Sequence, residues 1–108
     1  MYSSQLLKGT FETIVLKLLA ENNSLYGYEI IQKVKESSNG EINLPFGSIY
    51  PTLHKLERNE LVTMSQMNIG KRVRLYYTIT AKGRNKSAEM VEEFMRFART
   101  MIMLLRPS

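Results

Sequence analysis

The sequence predicts a mainly α-helical protein that carries one small β-hairpin and ends in a long helix. Apolar residues recur at intervals of three and four over most of the first 60 positions, as on the buried face of a helix. Between positions 61 and 80 they alternate instead, as in a half-buried strand. Helical spacing then returns without a break from Ala81 to Leu105. We therefore predict one compact unit made of two parts, residues 1–80 and residues 81–108.

The composition is that of one small globular domain without disulfides. The chain has 108 residues, of which 44% are hydrophobic and 23% charged, enough for one core and too few for two. Because it has no cysteine, it can have no disulfide, thiolate metal ligand or thiol nucleophile. It lacks both a signal-peptide pattern and an apolar run near the roughly 20 residues that span a bilayer. We expect a cytoplasmic protein with no membrane partner.

Two core helices should open the chain. The first is predicted from Leu6 to Glu21, with Thr10 as a weak N-cap and an apolar stripe made of Phe11, Ile14, Val15, Leu18 and Leu19. The second is predicted from Leu25 to Ser38, with a buried side made of Tyr26, Ile30, Ile31 and Val34. An extended segment should follow, because Pro45 disfavours helical backbone in the residue before it.

A third helix, within residues 44–62, carries an apolar face and a cationic face. Pro51 is tolerated in a first helical turn, so we place the start of the helix near Ser48. The apolar face is made of Ile49, Leu53 and Leu56. The opposite face holds Pro51, His54, Lys55 and Arg58, with Tyr50 at its edge. Such a helix suits the major groove of DNA, although the same pattern is common on ordinary surface helices.

Two β-runs follow and should form a hairpin. The predicted strands are Leu61–Met67 and Arg72–Thr80, and the intervening residues 68–71 include Gly70, which suits a turn. On the second strand, one face holds Val73, Leu75, Tyr77 and Ile79, and the other holds Arg72, Arg74, Tyr76 and Thr78. Two arginines beside Lys71 suit a ribbon that lies along a phosphate backbone, while Arg and Thr are also common on solvent-exposed strand faces.

The positive charge of the chain is confined to one segment. The net charge is +5. Residues 55–86 carry eight Lys or Arg against two Glu, whereas residues 1–54 carry four Lys against five Glu, and residues 87–108 carry three Arg against three Glu. The basic segment starts inside the third helix and includes the whole hairpin. A confined basic segment is typical of proteins that bind a polyanion.

The last helix, Ala81–Leu105, should contact a second copy of the chain. Thr80 is a good N-cap, and Pro107 closes the end. The main apolar stripe has coiled-coil spacing and is made of Met90, Phe94, Phe97, Met101 and Leu104. A helix of roughly 36 Å exceeds what a domain of this size needs for its own core, so homodimerisation is the economical explanation. The competing interpretation is a cavity for a small hydrophobic or aromatic effector, lined by Phe94, Phe97, Met101 and Tyr2.

Three helices, a hairpin and a long helix, in this order, make a winged helix-turn-helix unit with a C-terminal dimerisation helix. In that arrangement the third helix enters the major groove of double-stranded DNA and the hairpin is the wing. We expect phosphate contacts from Lys55, Arg58, Lys71, Arg72 and Arg74, and contacts to base edges or phosphates from Ser48, Tyr50 and His54. No cofactor or metal site is expected.

Three blocks of sequence carry a resemblance to a known family. They are Tyr26-Gly27-Tyr28-Glu29-Ile30, then Gly47-Ser48-Ile49-Tyr50-Pro51, then a hairpin with Gly70, Arg72, Arg74, Tyr76, Tyr77, Thr80 and Gly83. Together they make the chain similar to the PadR family of winged-helix transcription regulators. The resemblance implies a homodimeric DNA-binding repressor, which an aromatic or hydrophobic effector releases from DNA in some members. It also implies that Ser48, Tyr50 and Pro51 start the recognition helix and that Arg72 and Arg74 are wing cations.

The sequence departs from the family pattern at two positions and in its length. Glu60 stands where a glycine usually ends the recognition helix, and we expect Asn59 to supply the left-handed cap instead. Gln66 stands near a position that often holds tryptophan. The chain ends after one long helix, as in the short members of the family.

Two other function classes compete with a DNA-binding regulator. A protein–protein adaptor would use the long helix without DNA, but it has no need of the basic segment, and its binding would be insensitive to salt. An enzyme is not expected, because the chain has no Asp, no Cys and one His, and His54 has no partner visible in the sequence.

Overall fold

The computed structural model describes residues 2–107, so Met1 and Ser108, the outer ends of the two predicted parts, lie outside the described residues. The described chain forms α1 (Ser4–Lys8), α2 (Phe11–Asn22), β1 (Ser24–Tyr26), α3 (Gly27–Ser37), α4 (Phe46–Arg58), β2 (Val62–Ile69), β3 (Arg72–Ile79) and α5 (Ala81–Leu105). The predicted class, mainly helical with a small hairpin and a long last helix, is confirmed.

The hairpin belongs to a three-stranded antiparallel sheet with the strand order β1–β3–β2. β2 and β3 pair along their full length, and Ile69 lies opposite Arg72. Gly70 and Lys71 alone therefore form the turn, which is shorter than the predicted loop over residues 68–71. Gly70 has a φ of +60°, which glycine adopts without strain and which the first central position of a tight hairpin turn requires.

The second predicted helix begins later than expected, because its first residues form β1 on the other edge of β3. The Thr78 hydroxyl of β3 donates to Ser24 Oγ at 2.9 Å. Glu29 then fixes the start of α3, since its Oε1 accepts the backbone N–H of Tyr26 at 3.1 Å. The prediction of helix from Leu25 was wrong at this end, because the pairing with β3 joins residues 50 or more positions apart.

The first predicted helix is two helices. The Leu7 carbonyl accepts both the backbone N–H and the hydroxyl of Thr10, at 2.9 and 2.7 Å, and the chain turns at Gly9. Thr10 is the N-cap of α2, as predicted, but its hydroxyl donates back to α1 and accepts no N–H of α2. The continuous helix predicted from Leu6 was therefore wrong across residues 9–10.

One hydrophobic core lies between α2, α3, α4 and the sheet. Its fully buried side chains include Val15, Leu16, Leu19, Ile30, Ile49, Leu53, Leu56, Val62 and Tyr77. Burial raises the pKa of the Tyr77 hydroxyl above its ordinary value, and the Glu57 carboxylate acts in the same direction. On the apolar face of β3, Val73 is exposed, because the hairpin extends beyond the core that buries Tyr77 and Ile79.

Helix α4 begins at Phe46, two residues before the predicted start near Ser48. Its first turn is tight, because the Ser48 N–H donates to the Pro45 carbonyl at 2.9 Å. Pro51 is therefore in the second turn, not in the first as expected. Pro51 cannot donate to the Gly47 carbonyl one turn earlier, and this is tolerated because Gly47 is exposed to solvent.

Helix α4 ends in a Schellman motif centred on Glu60. The N–H of Leu61 donates to the Leu56 carbonyl, and the N–H of Glu60 donates to the Glu57 carbonyl, both at 2.9 Å. Glu60 has a φ of +62°, whereas Asn59 remains at −88°. The expectation that Asn59 supplies the left-handed cap was wrong. The two hydrogen bonds require left-handed backbone at the residue after Asn59. Glu60 therefore adopts a conformation that glycine would adopt without strain.

Helix α5 begins against the residues that end α4. Thr80 is its N-cap, as predicted, and its Oγ1 accepts the Gly83 N–H at 2.9 Å. The Thr80 N–H donates to the Leu61 carbonyl at 3.0 Å. Gly83 lies against this same carbonyl, so closely that a Cβ at position 83 would overlap the carbonyl oxygen. Gly83 thus allows the first turn of α5 to contact the α4–β2 connection.

The second half of α5 extends away from the core. Met90 packs against the core, but Phe97 is 58% exposed and Leu104 is 72% exposed. The described molecule measures 60 × 29 × 20 Å, and α5 alone is about 37 Å long. Within the described residues, no helix is long and apolar enough to cross a membrane.

We predict that Gly83→Ala lowers the free energy of unfolding by about 1–3 kcal/mol, because the added methyl group overlaps backbone and forces α5 away from Leu61. Urea unfolding at fixed protein concentration measures the change. Gly47→Ala is the matched control: a Cβ there meets nothing within 4 Å. It should raise stability by about 0.5–1 kcal/mol, because alanine favours helix. Equal midpoints for wild type and Gly83→Ala would contradict the close approach.

We also predict that Glu60→Gly raises the free energy of unfolding by about 1 kcal/mol, because it removes the cost of a side chain in the left-handed region. Asn59→Gly is the control at the adjacent residue, whose φ is negative. It should lower stability by up to about 1 kcal/mol, since glycine there only adds freedom to the unfolded chain. The opposite order of the two melting temperatures would show that Glu60 is not strained.

Candidate nucleic-acid interface

The outer face of α4 presents the residues predicted to contact DNA, and its inner face is core. Ile49, Leu53 and Leu56 are buried, as their spacing predicts. The predicted outward residues Pro51, His54, Lys55 and Arg58 are all exposed or partly exposed, and Ser48 and Tyr50 are half-buried. The helix thus has one face in the core and one cationic face in solvent.

Tyr50 packs between two helices more than it faces solvent. A Cβ added at Gly27, the first residue of α3, would lie 2.8 Å from the Tyr50 hydroxyl and 2.9 Å from Cζ. Gly27 therefore leaves the space that the Tyr50 ring occupies. Because the ring is packed in this way, Tyr50 fixes the distance between α3 and α4 and has less freedom to reach a partner than the sequence suggested.

An aromatic row runs along α4 beside this cationic face. The ring centroids of Phe46 and Tyr50 are 6.1 Å apart with the planes at 72°, and those of Tyr50 and His54 are 6.5 Å apart. Phe46 is 63% exposed. The sequence prediction missed Phe46 because it began the helix near Ser48. Phe46, Tyr50 and His54 follow one another at steps of four positions, and this spacing is the signal that could have placed all three on one face.

The cations of α4 differ in their partners. Lys55 Nζ lies 2.9 Å from Glu12 Oε1 in the first turn of α2, so its charge is partly neutralised within the chain. Among residues 2–107, no carboxylate lies within ion-pair distance of Arg58. The Lys55–Glu12 pair is open to solvent, where such a pair is worth only about 0–1 kcal/mol, so Lys55 can exchange Glu12 for another anion.

The hairpin carries its three predicted cations at and near its tip. Lys71 is in the turn, and Arg72 and Arg74 lie on the same face of β3. Lys71 and Arg72 are exposed, and no carboxylate in the described chain is paired with any of the three. Across the hairpin, Ile69 lies opposite Arg72 and Met67 lies opposite Arg74.

Arg74 is held against Tyr26 of β1, whereas Arg72 has no such contact among the described residues. The Arg74 guanidinium lies 4.4 Å from the centroid of the Tyr26 ring, which itself makes an edge contact with Tyr76 at 5.4 Å. A side-chain hydrogen bond with Tyr76 raises the pKa of Arg74. Electrostatic interactions with Tyr26, Tyr76 and Glu29 act in the same direction. The stacked guanidinium is pre-positioned, because a cation over an aromatic face loses little further freedom when it binds an anion.

The residues predicted to form the dimer contact lie along α5 in the order that the spacing gives. Met90 and Met101 are half-buried, and Phe94, Phe97 and Leu104 are exposed. The rings of Phe94 and Phe97, two of the four residues predicted to line an effector cavity, have centroids 6.5 Å apart. Tyr2, ahead of α1, is 51% exposed. In one chain Phe94, Phe97 and Leu104 are open to solvent.

The described residues contain no group of three or more His, Asp or Glu side chains that could hold a metal ion. The described side chains of this surface are cations, hydroxyls and aromatic rings. Such groups bind phosphates and base edges in the contacts that proteins make with nucleic acid.

Comparison with known proteins shows the family of this chain. The sequence profile of the transcriptional regulator PadR-like family matches residues 15–89, which include α3, α4 and the whole hairpin. The chain belongs to the PadR-like family of transcriptional regulators. The resemblance drawn from the three sequence blocks is confirmed.

Two curated proteins show how far the similarity of this PadR-like regulator extends. An uncharacterized protein of Lysinibacillus sphaericus, protein X, is 30% identical over 97 residues, covering 87% of this chain and 86% of that protein. The transcriptional regulator YqjI of Escherichia coli K12 is 29% identical over 91 residues. That match covers 79% of this chain and 42% of YqjI, so this PadR-like chain spans less than half the length of that relative.

Solved structures share the fold of this PadR-like regulator over nearly its whole length. A PadR family transcriptional regulator from Eggerthella lenta has a TM-score of 0.83 at 25% identity, over 96% of this chain and 88% of that one. A PadR-like transcriptional regulator from Bacillus cereus has a TM-score of 0.77 at 28% identity, over 97% of this chain and all of that one. A transcriptional regulator from Clostridium thermocellum, at 24% identity, has a TM-score of 0.87 and shows the fold alone.

Proposed function

We propose that this PadR-like regulator is a homodimeric, sequence-specific DNA-binding repressor. In this proposal α4 lies in the major groove of double-stranded DNA and the β2–β3 hairpin contacts phosphates. The observation that carries it is the set of unpaired, solvent-exposed cations on α4 and at the hairpin tip, made of Arg58, Lys71 and Arg72. A polyanion supplies the countercharge that the described chain does not.

Helix α4 suits the role of recognition helix because of how it is held. Its inner face is anchored by Ile49, Leu53 and Leu56, and its end is fixed by the Schellman motif at Glu60. The outer face is therefore presented by a rigid element. Ser48 and His54 can donate or accept hydrogen bonds at base edges, and Lys55 and Arg58 reach toward the flanking phosphates.

The hairpin suits the role of wing because it starts where α4 ends. Only Asn59, Glu60 and Leu61 separate α4 from β2, so the cations of the two elements belong to one continuous segment. Arg72 and Lys71 lie at the tip, and Arg74 is stacked on Tyr26 nearer to the body of the domain. The fork of each arginine can bind two phosphate oxygens at once, which fixes the orientation of the protein on the duplex.

The exposed stripe of α5 supports dimerisation with a second copy of the chain. Monomeric proteins rarely expose a long apolar strip, and here Phe97, Ile102, Leu104 and Leu105 are each more than half exposed on one helix. Two copies of such a helix can bury the same strip against each other in a symmetric interface. The two recognition helices would then meet half-sites about one helical turn apart, roughly 34–36 Å.

Repression and the effector rest on the family resemblance. Residues of the predicted pocket, Phe94, Phe97 and Met101, belong to the strip that a second copy would cover, so an effector cavity would need both copies as its walls. A protein–protein adaptor remains the alternative, because the same strip could receive another protein. The salt dependence of binding separates the two functions, since only the DNA complex releases counterions.

We predict that the protein binds the DNA upstream of its own gene in preference to a shuffled duplex, by a factor of about 1,000 or more. Fluorescence anisotropy at several salt concentrations measures both affinities. Arg72→Ala combined with Arg74→Ala should weaken binding to both duplexes. It should also reduce the slope of log affinity against log salt by about 0.9 for each phosphate that the variant no longer neutralises.

The matched control for this double variant is Lys17→Ala with Arg96→Ala. It removes the same charge from α2 and α5, at cations already paired with Glu21 and Glu92. This control should keep the wild-type salt slope. A wing variant that also kept it would contradict the wing assignment, and no binding at low salt would contradict DNA binding as a whole.

We predict that Phe97→Glu raises the dissociation constant of the dimer by roughly 100-fold or more, because it buries an unpaired charge in the interface. Analytical ultracentrifugation over a range of concentrations measures the change. Arg99→Glu, on the polar face two residues further along, is the control and should leave the dimer intact. If wild type sediments as a monomer at micromolar concentration, α5 does not form the interface.

A further inference from the structure

Phe46 is a large apolar side chain that the domain leaves in solvent. It is the first residue of α4 and is 63% exposed. Burying a phenylalanine side chain stabilises a protein by about 1.5–3 kcal/mol. Phe46 does not contribute this stabilisation, whereas Ile49, three residues later, is buried in the core. Unlike Phe97, Phe46 belongs to no apolar stripe that a second copy could cover.

The ring of Phe46 is held in place rather than free to rotate in solvent. It packs edge-on against Tyr50, with centroids 6.1 Å apart and planes at 72°. Tyr50 is itself packed against the backbone of Gly27 in α3. Gly27 of α3 thus contacts Tyr50, and Tyr50 contacts Phe46, while the other face of the Phe46 ring is open to solvent.

The neighbours of Phe46 form a small apolar tip at the start of α4. Pro45 and Gly47, its neighbours in the chain, are exposed and bring no charge, and Pro51 is exposed on the next turn. A Cβ added at Gly47 would meet nothing within 4 Å, so the backbone next to Phe46 is open to solvent on that side. A partner for this surface presents one exposed apolar group.

We infer that Phe46 is a specificity-determining residue that contacts the 5-methyl group of a thymine in the major groove. The inference rests on the proposed function, in which α4 is the recognition helix. Residues at the N-terminal end of a recognition helix contact base edges. The thymine methyl is the apolar group that the major groove exposes, and it is flanked by phosphates on both strands. Phe46 thus adds a hydrophobic contact to the polar ones expected of Ser48 and His54.

Deoxyuridine tests the contact, because it differs from thymidine only in lacking the methyl group. Binding duplexes are first selected from a randomised pool with the full-length wild-type protein. Each thymine of the selected site is then replaced singly by uracil, and affinities are measured by fluorescence anisotropy for wild type, Phe46→Ala and His54→Ala. Thermal melting of the variants checks that they fold, which the exposure of Phe46 leads us to expect.

At one thymine of each half-site, the affinity of wild type should fall about fourfold with deoxyuridine, the effect of one methyl group removed from an apolar contact. Phe46→Ala should bind the thymine and uracil duplexes equally at that position. His54→Ala, whose altered side chain lies on the same row of α4, should keep the fourfold difference.

Two other outcomes separate this inference from the function on which it rests. If wild type selects a site but no thymine shows a methyl effect that Phe46→Ala abolishes, Phe46 is not a thymine contact, and the DNA-binding function stands. A selected site without thymine has the same meaning. If wild type selects no sequence from the pool, sequence-specific DNA binding fails, and the inference fails with it.

Discussion

The backbone carbonyl of Leu61 is the group on which the rest of the structure depends. It accepts the N–H and the hydroxyl of Thr80, both at 3.0 Å, and the first turn of α5 packs on it through Gly83. The N–H of the same residue closes the end of α4. One peptide segment therefore connects α4, the start of the hairpin and the start of α5. Because buried peptide groups need partners, moving any one of these elements would break hydrogen bonds in the others.

The charged side chains of α4 and the hairpin differ from those of α5 in their ion pairs. Arg58, Lys71, Arg72 and Arg74 have no carboxylate partner in the described chain, whereas α5 pairs Arg96 with Glu92 and Lys86 with Glu89 along its own surface. The surface proposed to contact DNA thus holds four cations that the described chain does not neutralise. The surface proposed to contact a second copy combines an apolar strip with locally balanced charge, which avoids repulsion between two identical chains.

Helices with a repeated apolar spacing could be predicted from the sequence. Features that depend on one specific contact between distant parts of the chain could not. The faces of α4 and the bounds of α5 follow from periodicity, and both were predicted correctly. β1 could not be predicted, because Ser24–Tyr26 becomes a strand only beside β3. The left-handed residue was assigned to Asn59 from propensity, but the hydrogen bonds of the Schellman motif place it at Glu60. Likewise, spacing placed Tyr50 near the outer face, and only the missing side chain of Gly27 explains why its ring turns toward α3.

Two side chains from the first turn of α5 reach the ends of other helices. Lys82 donates to the Asn59 carbonyl at the end of α4, at 3.1 Å, and Arg84 donates to the Ala20 carbonyl near the end of α2, at 3.0 Å. The start of α5 is thereby fixed to the ends of α2 and α4, and α4 is the helix proposed to contact DNA. A rod of about 37 Å fixed at one end acts as a lever: a tilt of about 10° moves its far end by roughly 6 Å. In the proposed dimer, small adjustments where the two copies meet would turn the two domains as rigid bodies, and the length of α5 and the angle at its start would set the spacing between the two half-sites.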